Sequence, residues 1–139
     1  MNFSTLQLRP YQIEAQQAIV EARKRGLRAQ LVSLATGLGK TVVIATLPEL
    51  LDLRPTDVTL VIAHRDELIQ QLVEKMKAQN PGAVVGVEKA DRVASDDCNI
   101  VVATVQTLTG TRLTRFSTKL GRRIALLVID EAHHAAAPT

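Results

Sequence analysis

Two short stretches of this 139-residue chain carry side chains suited to handling phosphate. The first is Leu34-Ala35-Thr36-Gly37-Leu38-Gly39-Lys40-Thr41. A loop of this composition between a strand and a helix can surround an anion with consecutive backbone N–H groups and a helix start. Gly37 and Gly39 let the chain pass close to the phosphates without Cβ atoms in the way. Lys40 would then reach the β- and γ-phosphates, and the Thr41 hydroxyl would ligate Mg²⁺. Thr36, Gly37, Leu38, Gly39, Lys40 and Thr41 are therefore the candidate phosphate-site residues. The general pattern opens with Gly where this chain has Leu34. The alternative reading of the segment is a glycine-rich turn carrying a solvated lysine.

The second stretch is Asp130-Glu131, which follows an apolar run at 124–129. Phosphate loops work with an acidic partner at the end of a buried strand. Asp130 would hold Mg²⁺ through its water shell, and Glu131 could orient and deprotonate an attacking water. Positioning and charge neutralisation supply most of such catalysis. Alone, the pair could equally cap a turn. Two strand-end motifs of the right kind, in the right order, point to nucleotide binding.

The elements that must position these groups are legible as alternating patterns. Residues 10–25 place Tyr11, Ala15, Ala18 and Ala22 at helical spacing, with Pro10 in the first turn and Gly26 as a stop. Residues 29–34 read as a buried strand, and 41–51 as a helix that Pro48 should kink or end. A second strand covers 58–63. A helix follows, marked by Leu68, Leu72, Val73 and Met76 and closed by Asn80-Pro81-Gly82. Strands are expected at 83–87 and 99–103 with a polar loop over 88–97, then a weaker helix over 104–116 interrupted by Gly110, and the strand at 124–129. Apolar strands alternating with helices specify an α/β fold with a mostly parallel sheet. The pattern leaves the strand order open.

Composition sets the outer bounds. The length suits one domain, and 46% hydrophobic residues can bury a core. The three aromatic residues, Phe3, Tyr11 and Phe116, argue against a fold that stacks bases on exposed rings. A net charge of +3 is compatible with a polyanionic partner without demanding one. A single cysteine, Cys98, excludes an internal disulfide and a cysteine-based zinc site, and no histidine pair is spaced with a third ligand. Cys98 reads as a small hydrophobe. Neither a secretory signal nor a membrane-length apolar run is visible, so a cytoplasmic protein is expected.

With both motifs placed, the chain resembles a superfamily 2 helicase, in the branch of DNA-repair helicases and restriction-enzyme motor subunits. The loop ATGLGKT is similar to helicase motif I, where the first position is commonly not Gly. Asp130-Glu131-Ala132-His133 is the DEAH form of motif II. Upstream, Leu8-Arg9-Pro10-Tyr11-Gln12 resembles the adenine-facing R-x-Y-Q element, which implies that Arg9 and Gln12 frame the base. The segments around Arg65 and around Thr104 and Gln106 resemble motifs that meet the nucleic-acid backbone, and the His133 position couples the nucleotide site to the next motif.

The resemblance implies a P-loop NTPase, RecA-like sheet flanked by helices, with residues 1–139 forming the N-terminal portion of the first RecA-like domain. The second RecA-like domain, motif III and its strand are expected outside the chain, which would leave a gap in the sheet beside the motif II strand. It further implies ATP and Mg²⁺ as cofactors, and nucleic acid, DNA rather than RNA, as partner. Full-length activity would then be ATP-driven unwinding or translocation, with this portion alone weak or inactive. The open alternatives are the motor subunit of a restriction endonuclease and a non-catalytic remnant that binds nucleotide or nucleic acid. A small-molecule kinase would share the loop but would leave the other motifs unexplained.

Overall fold

A computed structural model describes residues 8–27, 39–54, 56–63, 67–89, 93–95, 97–104 and 124–130. The strand expected at 29–34, most of the glycine-rich loop (Thr36, Gly37 and Leu38 included) and, beyond Thr104, the helix expected at 104–116 lie outside the described residues; Thr104 itself belongs to a strand. Arg65, Gln106, Glu131 and His133 also lie outside the described residues.

Three helices and four strands are described: α1 (Pro10–Lys24), α2 (Lys40–Leu50), β1 (Val58–Ala63), α3 (Glu67–Gln79), β2 (Val85–Glu88), β3 (Ile100–Thr104) and β4 (Ile124–Asp130). The strands form one sheet in the order β2-β3-β1-β4, and every pairing is parallel. The expected class is observed. Parallel pairing gathers all C-terminal strand ends on one edge, where α/β folds bind ligands. Register places Thr104 beside Ala63 and Ala63 beside Asp130 on that edge.

One sheet face packs against helices. Val61, Ala63, Val87, Ile100 and Val102 meet Ile44 and Ala45 of α2 and Ile69, Leu72, Val73 and Met76 of α3. Met76 has no exposed surface, and burying a side chain of that size contributes about 1.5–3 kcal/mol. A second cluster joins α1 and α2 through Ile19, Val43, Leu47 and Leu51, with Leu126 and Val128 of β4 packed on it. On the opposite face Val58, Leu60, Val101 and Ala103 pack with Ala94 and Cys98, the latter buried as a small apolar group.

Four expectations need correcting. The buried face of α1 is Gln12, Ala15, Gln16, Ile19 and Ala22, whereas Ala18 is exposed and Tyr11 only half-buried. Helix α2 runs two residues past Pro48, so the proline does not end it there; with only Glu49 and Leu50 following, little helix depends on the bond it breaks. The Asn80 Nδ2 donates to the Ala45 and Met76 carbonyls, both at 2.9 Å, tying the last turns of α2 and α3 together. Glu88, read as loop, is the buried end of β2, and its Oε1 accepts the Ala94 N–H at 2.8 Å. β4, the most apolar strand by sequence, is the least covered. Leu127 and Ile129, which alternate with the residues packed on α1 and α2, are 53% and 51% exposed.

Candidate nucleotide site

Gly39 and Lys40 stand where the phosphate loop becomes helix α2. Gly39 is the N-cap residue, in the left-handed region at φ 76°, and its carbonyl accepts the first helical bonds from Val42 and Val43. Lys40 and Thr41 open the helix, whose N-terminal end carries the partial positive charge that favours anions. The described part of the loop therefore has the strand-end-facing helix start that its residue types predicted.

Asp130 ends β4 on the ligand-binding edge of the sheet. The Lys40 Nζ lies 2.7 Å from its Oδ1, with side chains 28% and 5% exposed. The contact is a close ion pair without hydrogen-bond alignment, since this same Oδ1, buried, has no aligned donor. Two groups 90 residues apart in sequence thus meet at the edge where the C-terminal strand ends gather. The arrangement fits a cation there. A buried carboxylate oxygen with unused accepting capacity suits Mg²⁺, bound directly or through water. Among the described residues no cluster of three or more His, Cys, Asp or Glu side chains exists, so a dedicated protein-only metal cage is absent from them.

Gln12 reaches the same loop from α1. Its Oε1 accepts the Arg9 N–H at 2.8 Å, closing the helix start, and its Nε2 donates to the Gly39 carbonyl at 3.2 Å. A Cβ on Gly39 would collide with that amide. Gly39→Ala should therefore cost twice: about 1–2 kcal/mol for a side chain in left-handed backbone, and displacement of Gln12. Denaturant unfolding of Gly39→Ala, Gln12→Ala and the double variant checks this. The double variant should lose less than the sum, because only the backbone penalty remains once the amide is gone. Strict additivity would show that Gln12 does not seat on Gly39.

The structure thus brings Arg9, Gln12, Gly39, Lys40 and Asp130 to one region. Thr41 sits beside Lys40 in the first turn of α2. Thr104 ends β3 two strands away from Asp130, about 10 Å at ordinary strand spacing, and is 4% exposed. That burial leaves its hydroxyl little surface to offer a phosphodiester. Sequence reasoning missed Gln16 and Thr46, which join α1 to α2 in the interior. Spacing held the signal for Gln16, one helical turn after Gln12, but nothing in the sequence paired it with Thr46.

Similarity to known proteins agrees with this geometry. A family model described as the type III restriction enzyme, res subunit, matches residues 5–139. The chain is 34% identical to the putative mitochondrial ATP-dependent helicase irc3 of Schizosaccharomyces pombe, covering 96% of this chain and 22% of that protein. It is 34% identical to the putative ATP-dependent helicase IRC3 of Saccharomyces cerevisiae, covering 97% of this chain and 20% of that one. The chain therefore spans about a fifth of the length of these relatives. Among solved structures, the Sulfolobus solfataricus SWI2/SNF2 ATPase core in complex with dsDNA matches with a TM-score of 0.65 at 25% identity, over 92% of this chain and 26% of that chain. The chain belongs to the type III restriction enzyme res-subunit family, and its RecA-like fold is that of superfamily 2 helicases.

Proposed function

We propose that this chain is the phosphate-binding portion of an ATP-driven motor acting on DNA, with its hydrolytic site built on Lys40, Asp130 and Glu131. The observation that carries the reading is the meeting of Lys40 and Asp130 at the C-terminal edge of a parallel sheet. Lys40 would bind the β- and γ-phosphates, taking its charge from Asp130 to the nucleotide. Thr41 and Asp130 would hold Mg²⁺, which when bound neutralises charge developing on the phosphates. Glu131, next after Asp130, would orient the attacking water and accept its proton. Arg9 and Gln12 would frame the adenine.

The DNA assignment is supported by the SWI2/SNF2 ATPase core, a structural relative in complex with dsDNA. Arg65 and Gln106 would supply backbone contacts that position a strand without reading its sequence, and His133 would couple them to the nucleotide; Thr104, buried at the end of β3, is left out of that set. Residues 1–139 correspond on this reading to part of the first RecA-like domain, with the remainder of the motor in a longer parent protein. An arginine finger from a second domain would add about 10³–10⁵ in rate. A restriction-endonuclease motor is a second reading, favoured by the description of the matching family model.

The test is thermal and chemical unfolding with and without Mg-ADP. Binding to the native state at a hundredfold excess over Kd stabilises it by about 2.7 kcal/mol. A cooperative transition that does not respond to nucleotide would defeat the proposal.

A further inference from the structure

We infer that Gln16 and Thr46 form a positioning pair for phosphate binding: through α1 they brace the first turn of α2, where Lys40 and Thr41 stand, against the buried body of the same helix. The inference rests on the nucleotide reading above and adds two interior residues to it. The Gln16 Nε2 donates to the Thr46 Oγ1 at 2.7 Å, and that hydroxyl donates to the Val43 carbonyl at 2.8 Å. Gln16 is 8% exposed and Thr46 fully buried.

Burial along α2 is uneven. Val43 to Leu47 are buried, Ile44 and Ala45 in the cluster shared with the sheet and α3, Val43 and Leu47 in the one shared with α1 and β4. Gly39, Lys40, Thr41 and Val42 are only half-buried. A helix start also lacks intrahelical partners for its N–H groups. The first turn is therefore the part of α2 least held by its own packing, and it carries the groups that meet phosphate.

Helix α1 reaches both parts. Gln16 meets Thr46 in the buried stretch. Gln12, one turn earlier, donates to the Gly39 carbonyl, which also accepts the Val42 and Val43 N–H groups. Gln12 is 6% exposed and tied through its Oε1 to the Arg9 N–H, so its amide moves with α1. The two grips lie seven residues apart on α2, about 10 Å along its axis.

What the Gln16–Thr46 bond adds is direction. Apolar contact, such as the α1–α2 cluster of Ile19, Val43, Leu47 and Leu51, is non-directional and tolerates a partial slide of one helix along another. A donor and acceptor held in line do not. With α1 fixed at Thr46, Gln12 holds the Gly39 carbonyl at a set height, and the turn that begins there keeps its aim. Without that anchor the ligand must order the turn itself, and the ordering is subtracted from affinity. No base takes part in this chain of contacts, so the loss is the same whatever base the ligand carries.

The experiment titrates Mg-ADP, Mg-GDP and magnesium tripolyphosphate, which has no base, into the 139-residue chain and its variants by calorimetry. Thr46→Val should weaken every ligand the wild type binds by one common factor of about five, the scale of one hydrogen bond. Thr46→Ser should keep wild-type affinity. The double variant Gln16→Met/Thr46→Val should show the same weakening at a melting temperature close to wild type, because neither partner is left unpaired. In both valine variants, without ligand, the Val42 and Val43 amides should exchange hydrogen faster than in the wild type. Unchanged affinities in both, whatever the melting temperature does, would make the pair merely structural and overturn the inference. A loss confined to ADP would also overturn it, by placing the effect on the base. Wild type that binds none of the three ligands would instead overturn the nucleotide reading itself.

Discussion

Replacing Lys40 with alanine should remove most of the protein's stabilisation by nucleotide and lower ATP hydrolysis by the parent motor about 10²–10³-fold, the scale of losing one preorganised charge stabiliser. Losing a charge-assisted hydrogen bond to phosphate costs about 1.5–3 kcal/mol, which weakens binding by roughly ten- to a hundredfold. At a ligand concentration giving the wild type about 2.7 kcal/mol, the variant would then gain about 0.4–1.4 kcal/mol. The substitution acts on the nucleotide-free protein too. Asp130, 5% exposed and without an aligned donor, would lose its counter-charge. Removing one partner of a fully buried pair costs about 3–5 kcal/mol; with Lys40 28% exposed, about 1–2 kcal/mol is expected here. The nucleotide response must therefore be read against the variant's own baseline in denaturant titrations. A Lys40→Ala protein that matches the wild type in both baseline and response would remove Lys40 from the site.

How far such a site can be read in advance depends on whether its residues declare themselves by type. Lys40 and Asp130 do so together: a lysine after a glycine-rich turn and a carboxylate at a strand end each have ordinary uses, but the two in this order in one α/β chain point to a phosphate site. Their meeting follows from topology, since parallel strands and the helices between them put strand ends and helix starts on one edge. The strand at 58–63 was legible to the residue, being apolar and bounded by polar turns.

The α1 face was legible only in part, at Ala15 and Ala22. Periodicity counts apolar residues and so selected Tyr11 and Ala18, while the buried positions include Gln12 and Gln16, whose amides are satisfied by Gly39 and Thr46 across 27 and 30 residues of sequence. A polar side chain goes inside when a distant partner exists, and hydropathy carries no trace of that partner. β4 failed in the opposite sense. Ile124 to Ile129 reads as uniformly buried, yet only Leu126 and Val128 pack on the α1–α2 cluster, while Leu127 and Ile129 stay half exposed. An apolar run says that both faces can be buried, but not that something covers both.

Asp130→Asn separates the two tasks this geometry gives one carboxylate. In the nucleotide-free protein Asp130 neutralises Lys40; with Mg-nucleotide bound it would face the cation instead. An anionic ligand without metal must compete with Asp130 for the lysine and approach a carboxylate as well. Asparagine removes both obstacles, so Mg-free ADP should bind the variant more tightly than the wild type, by about tenfold for 1.4 kcal/mol of relieved competition. The same change should erase most of the affinity that Mg²⁺ adds, because a neutral amide is a far weaker ligand for a hard cation. Baseline stability should fall less than in Lys40→Ala, since the partly exposed ammonium can turn to water whereas the buried carboxylate cannot. Calorimetric titration of ADP in chelator and in Mg²⁺ reads both arms, and the predicted signature is a crossing: tighter than wild type without metal, weaker with it. Weaker binding in both conditions would mean that Asp130 holds the loop in shape rather than competing for Lys40. An undiminished gain from Mg²⁺ would place the cation on other ligands.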